Sequence, residues 1–240
     1  MCSNQASIGV VRHGGFSSHV LVPHSRYLVD PGDLDPALAA TYACSGITVL
    51  SAIRKLGAMD PDSAVVLIGA GGLGHAAIAM LIALGHRRIV VVDIDETKRS
   101  AALLAGASDV VDGMAEDVTA EIVKTAGGPV LYAMDTVNNT KTAKAAFESL
   151  AKGGKLVLLG VGGGEFEMSL AGMVFLARSV IASQTGTLQD LKDVVALAQS
   201  GKLKPIPIEH MHFDEANEAL IRLKAGKVTG RLVLEHPGVD

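Results

Sequence analysis

Along the middle of the chain, short apolar runs alternate with longer segments whose apolar residues recur every three or four positions. The runs are Ala64–Ile68, Ile89–Val92, Val130–Met134, Lys155–Leu159 and Ser179–Ala182, with a weaker one at Asp109–Val111. Each is bounded by glycine or polar residues, the pattern of strands buried in a parallel sheet. Between them the spacing predicts helices over Gly74–Leu84, Glu96–Ala105, Glu116–Thr125 and Asn139–Leu150. Gly85, Gly106 and Gly127 follow three of these helices and suit the left-handed position that ends one. Strands alternating with helices at this spacing predict βαβ units, and so a doubly wound α/β domain over residues 47–185.

The ends carry a different pattern. Residues 8–29 alternate in short runs, with Gly14-Gly15 as a turn and Pro23 as a breaker. Asp35-Pro36 reads as an N-cap followed by proline in the first turn, opening a helix from Pro36 to Leu56 that is broken near Cys44. Thr187 and Asp190 form a capping pair ahead of Leu191, Val194, Val195 and Ala198, and Gly201 closes that helix. Pro205–Ile208 is extended, Asp214 caps another helix, and Arg231–Leu234 makes a last strand. The two ends are expected to form a second, smaller unit: residues 1–46 and 186–240 around the central 47–185.

Composition narrows the class. The chain has 240 residues, 49% of them hydrophobic and 19% charged, with a net charge of −4 and a pI near 6.0. That balance argues against a nucleic-acid partner, whose footprint is a basic excess. Two cysteines, Cys2 and Cys44, cannot build a disulfide framework, so a reducing cytoplasm is expected. Ala64–Gly85 is long and apolar enough to suggest a membrane span, but Gly69, Gly71, Gly72 and Gly74 interrupt it. Strand, glycine turn and helix explain those letters better, and no membrane segment is expected. Met1–Val10 has neither a basic start nor an apolar core, so no signal peptide is expected there.

The glycines carry chemistry. Gly69-Ala70-Gly71-Gly72-Leu73-Gly74 fits G-x-G-x-x-G, directly after one predicted strand and at the start of a helix. Gly69 permits a tight turn, Gly71 lets the backbone approach a pyrophosphate, and Gly74 lets helix and sheet pack closely. Asp93 ends the next strand, about 20 residues past the loop, the offset of a carboxylate that bonds ribose hydroxyls. A carboxylate there repels a 2′-phosphate, and Ile94 and Asp95 supply no compensating charge, so NAD is favoured over NADP. Lys98 and Arg99 lie one turn into the following helix, within reach of an adenosine ribose. The loop alone also suits an S-adenosyl ligand.

The flanking residues resemble a known family. Gly14-Gly15-Phe16-Ser17-Ser18-His19-Val20-Leu21-Val22-Pro23 is similar to a strand pair of the zinc-type alcohol dehydrogenases in the medium-chain dehydrogenase/reductase superfamily. Ala43-Cys44-Ser45-Gly46-Ile47-Thr48 resembles their segment bearing a zinc-ligand cysteine, and Gly106–Asp109, Gly153–Val157 and Gly230–Val233 follow in order. The resemblance implies a Rossmann domain with a six-stranded parallel sheet, flanked by parts of a GroES-like catalytic domain. It implies an NAD-dependent oxidoreductase that moves hydride between an alcohol and NAD, with a small alcohol or carbonyl substrate. Cys44 would be a catalytic zinc ligand and Thr48 would contact the nicotinamide. Asp135-Thr136-Val137 would pass near the cofactor, Gly160, Val161 and Gly162 would line the carboxamide, and Arg231 would reach the pyrophosphate. A homo-oligomer joined at the edge of the Rossmann sheet is implied; Met168, Met173 and Phe175 lie in that region, with core packing as the default reading and a subunit interface as the alternative.

The sequence departs from the family in its metal ligands. No G-H-E segment is present, and Cys2 matches at most the last cysteine of the family's structural zinc lobe. One thiolate falls short of the three protein ligands a catalytic zinc needs. The expectation is therefore a member lacking the N-terminal part of the catalytic domain. Two other readings stay open: a zinc-free reductase of the same superfamily, which Cys44 speaks against, and a dinucleotide-binding module without catalysis. His210 and His212 share a strand face with no third ligand in sight, and His75 is as well suited to core packing as to the phosphates.

Overall fold

The computed structural model describes residues 5–236, so Cys2 lies outside the described residues. Six parallel strands form the central sheet: β1 (Val65–Ile68), β2 (Ile89–Asp93), β3 (Asp109–Asp112), β4 (Val130–Asp135), β5 (Leu150–Leu158) and β6 (Ser179–Ala182). Their order across the sheet is β3-β2-β1-β4-β5-β6, with Val65 opposite both Ile89 and Tyr132. This is the Rossmann order, and its direction of winding reverses between β1 and β4. Alternation along each strand splits the core in two. Val65 and Leu67 join Ile89, Val91, Met134 and Val157 on one face, while Val66 and Ile68 join Val90, Val92, Ala133 and Leu156 on the other.

Helices cover both faces. The first is packed by α2 (Ile47–Leu56), α3 (Gly72–Ala83) and α8 (Leu188–Gln199), through Val49 and Ile53, Ile78 and Leu81, and Val194 and Val195. The second is packed by α5 (Val118–Thr125) and α6 (Thr140–Glu148), through Ile122, Ala146 and Phe147. The expected glycines end their elements in left-handed backbone: Gly85 at φ 94°, Gly106 at 107° and Gly127 at 76°. The strand expected at Lys155–Leu159 is longer and runs back to Leu150, which shortens the preceding helix. A register shift opposite Val130 and Tyr132 accommodates Gly153-Gly154, whose backbone freedom permits the irregularity.

The helix expected from Pro36 to Leu56 forms in three parts: α1 (Pro36–Thr41), a π-helical turn (Tyr42–Gly46) and α2. Asp35 caps it by accepting from the Ala37 N–H at 3.1 Å. The stretch Pro36–Leu56 is long and apolar enough to cross a membrane, and half of its most apolar window is buried within the fold. Ala64–Gly85 divides into β1, the glycine turn and α3. Thr187 and Asp190 make the expected reciprocal cap on α8.

The remaining elements are α4 (Glu96–Ala105), α7 (Leu170–Leu176), α9 (Ala216–Lys224), β7 (Ile208–His212) and β8 (Arg231–Glu235). β7 and β8 pair in parallel as a separate two-stranded sheet. Two sequence expectations fail here. The alternating runs over residues 8–29 form no strand among the described residues, only an isolated bridge between Ile8 and Arg12 and a 3₁₀ turn at Ser25–Tyr27, and Gly14–Pro23 makes no strand pair. Val10 and Leu21 remain 84% and 87% exposed. Asp214 is not the cap of α9. His212 accepts from the Asp214 N–H, while the Glu215 carboxylate accepts from the His212 N–H, closing a short 3₁₀ turn ahead of the helix.

Candidate functional site: a glycine cradle at the switch point

The cradle is built where β1 ends beside β4. Gly69 takes φ 96°, and its N–H donates to the Val92 carbonyl at 2.7 Å, so the chain turns sharply off the sheet. Gly71 is the N-cap of α3 with no side chain to close the helix end, and nothing stands within 4 Å of where its Cβ would lie. The first N–H groups of α3 thus face an open approach, with the positive end of the helix dipole behind them. Gly74 is needed for another reason: a Cβ there would collide with the Gly69 carbonyl. Leu73 is half-buried against the first core face.

Asp93 stands at the end of β2, next to the loop. One carboxylate oxygen accepts from the Ala70 N–H at 2.7 Å, and the other accepts from the Asp95 N–H at 2.9 Å. It therefore ties the glycine turn to the start of α4 while keeping lone pairs free. Arg99 does not extend toward the same place. Its guanidinium donates to the Asp93 carbonyl at 2.8 Å and to the Asp112 carboxylate at 3.1 Å. The Lys98 ammonium instead lies toward the Gly226 turn.

Arg231, the first residue of β8, reaches across to α3. Its guanidinium occupies the space beside Gly72 where a Cβ would otherwise sit. Among the described residues it has no carboxylate partner, and burial pulls its pKa below the ordinary arginine value, with the nearby Cys44 opposing. A half-buried guanidinium at a helix N-terminus is a seat for an anion. Cys44 lies in the π-helical turn, exposed as a free thiol. Thr48 is buried, and its hydroxyl donates back to the Cys44 carbonyl at 2.7 Å. The structure thus brings Gly69–Gly74, Asp93 and Arg231 together, with Cys44 beside Arg231.

On the other side of the switch point, Val137 is exposed at the exit from β4, and Gly160, Val161 and Gly162 follow β5. The two segments touch backbone to backbone: the Gly162 N–H donates to the Val137 carbonyl at 3.0 Å. Asn138 was not among the residues singled out by sequence. Its side-chain amide donates to the Gly160 carbonyl at 2.9 Å from a left-handed backbone at φ 58°. The signal available was an Asn-Asn pair in the turn just past a strand, since Asn tolerates that conformation.

His75 is 1% exposed, with Nδ1 at 3.2 Å from the Gly71 carbonyl, so it packs in the core beneath the loop. His210 pairs with Glu235 at 2.5 Å on the β7–β8 sheet. No group of three or more His, Cys, Asp or Glu side chains among the described residues is arranged to hold a metal ion. Cys44 alone does not fit a catalytic zinc.

Comparison with known proteins gives the family. Residues 72–200 match the family model described as zinc-binding dehydrogenase, which covers more than half of the chain. An NAD-dependent alcohol dehydrogenase of Sulfurisphaera tokodaii is 34% identical over 98% of this chain and 68% of its own length. A D-arabinose 1-dehydrogenase (NADP(+)) of Saccharolobus solfataricus is also 34% identical, again over 98% of this chain and 68% of its own length. The crystal structure of the alcohol dehydrogenase from Aeropyrum pernix superposes with a TM-score of 0.84 at 29% identity, covering 97% of this chain and 68% of that one. The chain belongs to the zinc-type alcohol dehydrogenases of the medium-chain dehydrogenase/reductase superfamily, a family of oxidoreductase enzymes.

Proposed function

We propose that this chain binds NAD in the glycine cradle and serves hydride transfer between an alcohol and that cofactor. The observation that carries the reading is the convergence of Asp93 and Arg231 on the glycine loop that opens α3. The N–H groups of the loop and the Arg231 guanidinium would take the pyrophosphate, and Asp93 would accept from the adenosine ribose hydroxyls. When bound, the nicotinamide supplies the hydride acceptor: the alcohol is oxidised to a carbonyl, NAD is reduced, and a proton is released. Val137, Gly160, Val161 and Gly162 would orient that end of the cofactor. Thr48, through its position on the same helix as Cys44, would border the nicotinamide.

NAD is preferred over NADP because the Asp93 carboxylate would face a 2′-phosphate. Arg99 is committed to Asp112 and the Asp93 carbonyl, so it is not free to compensate. Residues 47–185 would carry the cofactor, with residues 1–46 and 186–240 contributing to the substrate side. The same reading pairs a second copy of the chain along the β6 edge, where Leu170, Val174 and Phe175 of α7 are exposed.

A second reading, dinucleotide binding without turnover, is favoured by the lone Cys44 and the lack of a metal-ligand group around it among the described residues. Titration with NADH, followed by the fluorescence of the reduced nicotinamide, tests the shared part of both readings. The chain has no Trp, so its own background is low. Saturable binding weakened by Asp93→Ala is expected, and no binding up to millimolar NADH defeats both readings. Alcohol-dependent appearance of NADH then separates the first reading from the second.

A further inference from the structure

The exits of β4 and β5 are held together by several backbone and side-chain hydrogen bonds. Asp135, the last residue of β4, is fully buried. Its Oδ1 accepts from the Val137 N–H at 2.9 Å and from the Asn138 N–H at 2.7 Å, closing a tight turn. That turn places Asn138 in left-handed backbone, at φ 58°, with its side-chain amide on the Gly160 carbonyl at 2.9 Å. The Asp135 carbonyl accepts from the Leu159 and Gly160 N–H groups at 2.9 and 3.1 Å, and the Val137 carbonyl accepts from Gly162. The packing is close enough that a Cβ on Gly162 would stand 2.7 Å from the Val137 carbonyl, and one on Gly160 would collide with the same peptide. On its outer side the segment is open, with Val161 almost wholly exposed.

We propose that Asp135 and Asn138 are positioning residues that fix Gly160–Gly162 in the orientation meeting the nicotinamide end of the dinucleotide. The proposal rests on the dinucleotide reading above. The chemistry at position 138 is demanding, because the residue must adopt a left-handed backbone and also donate a side-chain hydrogen bond. Glycine satisfies the first requirement only, and alanine, which reaches that backbone at a cost as Ala177 does at φ 48°, cannot donate. At position 135, one oxygen must accept two N–H groups inside the core. The second oxygen is buried without a hydrogen-bond partner. Burial pushes this carboxyl above the ordinary carboxylate value, against the opposing effect of the Asn138 N–H, the Thr142 hydroxyl and the Val137 N–H. Asparagine in its place would keep the oxygen that accepts the two N–H groups.

The test compares NADH with ADP-ribose, which lacks the nicotinamide, on the whole chain. For Asn138→Gly, which keeps the turn and deletes one hydrogen bond, the NADH dissociation constant is expected to rise about five- to tenfold. ADP-ribose affinity should stay within about twofold, since the glycine loop, Asp93 and Arg231 are untouched. Asp135→Asn should keep the wild-type ratio of the two affinities, because its Oδ1 still accepts. A merely structural role would weaken both ligands alike, and that result overturns the proposal, as does an unchanged NADH affinity in Asn138→Gly. Without any ligand, hydrogen exchange at the Gly160 and Gly162 amides should quicken in Asn138→Gly while β1 and β2 amides hold their protection. Unchanged exchange there also overturns the link. A wild-type chain that binds neither ligand defeats the dinucleotide reading and the proposal together. Wild-type binding with an unaltered ratio in Asn138→Gly defeats the proposal alone.

Discussion

Val65–Ile68 and Phe16–Pro23 are both short apolar runs near glycines, yet the first is buried on both faces while Leu21 is 87% exposed. β1 has parallel neighbours in register on each side, and helices cover its two faces. Residues 16–23 pair with no strand among the described residues. The same contrast appears between the two sheets. The six-stranded one is sealed above and below, whereas β7–β8 stands as two parallel strands by itself. Parallel strands are normally found in sheets covered on both faces. A hydrophobic pattern thus specifies which face of a segment seeks burial, and only the rest of the fold supplies the partner.

The strongest way to break this contrast is to damage the center. Leu67→Ala removes a fully buried side chain between the helices and is expected to cost about 2–5 kcal/mol. Gly74→Val should cost at least about 3 kcal/mol, because its first carbon would fall on the Gly69 carbonyl and push α3 off β1. Urea denaturation measures both. A midpoint like that of the wild type for Gly74→Val would show that the close helix–sheet contact is not required.

Next in size is Asp93→Ala, which leaves the core intact but frees the Ala70 and Asp95 N–H groups from their acceptor. NADH affinity should fall at least tenfold, in line with about 1–3 kcal/mol for a charged hydrogen-bonding group. The gap between NADH and NADPH should narrow in the same variant, since the repelling carboxylate is gone. An unchanged preference between the two cofactors would remove Asp93 as the discriminating residue.

Much of the central domain could be read before any coordinates, because its signals are local. Alternating apolar runs placed all six strands, and the glycines after the helices carried the stops. The N-caps at Asp35 and Thr187 are short-range hydrogen bonds written in adjacent letters. Belonging to the family was legible for the same reason, through motifs in register along the chain. The losses have a common cause. The runs over residues 8–29 have an apolar pattern, yet they pair with no strand among the described residues. Asp214 caps nothing because His212 and Glu215 cap the 3₁₀ turn that holds it, and α9 follows with no side-chain cap. Asn138 acts across 22 residues of separation, through a carbonyl that has no letter of its own.

Two buried carboxylates sharpen the comparison through pH. Asp135 sits in the central sheet with a raised pKa, caused first by burial. Asp190 lies on α8; burial pushes it up, but the Thr187 N–H and hydroxyl and the Arg54 guanidinium outweigh that and hold it low. The folded state grips the Asp135 proton more tightly than the unfolded chain does. Its contribution is therefore full below the ordinary value of 3.8 and is lost as pH rises through the raised value. Asp190 has the opposite slope: its contribution is present above 3.8 and is lost as pH falls through the lowered value. Relative to wild type, Asp135→Asn should become more stable as pH rises, and Asp190→Asn less stable. Denaturant midpoints between about pH 3 and 7 give both slopes, and parallel profiles for the two variants would contradict the assignment.

The smallest effect expected is in the flank. Phe16 and Leu21 are both exposed, so replacing either by Ser removes little buried surface from the folded chain. The denaturant midpoint should move by no more than about 0.5 kcal/mol, the usual size for a surface site free of caps, charges or strain. In the central sheet, Leu67→Ser would leave a buried hydroxyl in an apolar core and should cost several times more. Running the two serine substitutions side by side therefore measures the contrast directly. If Leu21→Ser cost more than about 1 kcal/mol, its side chain would have to be covered in solution. The alternating pattern of residues 16–23 would then have found a partner, and the difference between the two regions would be one of degree.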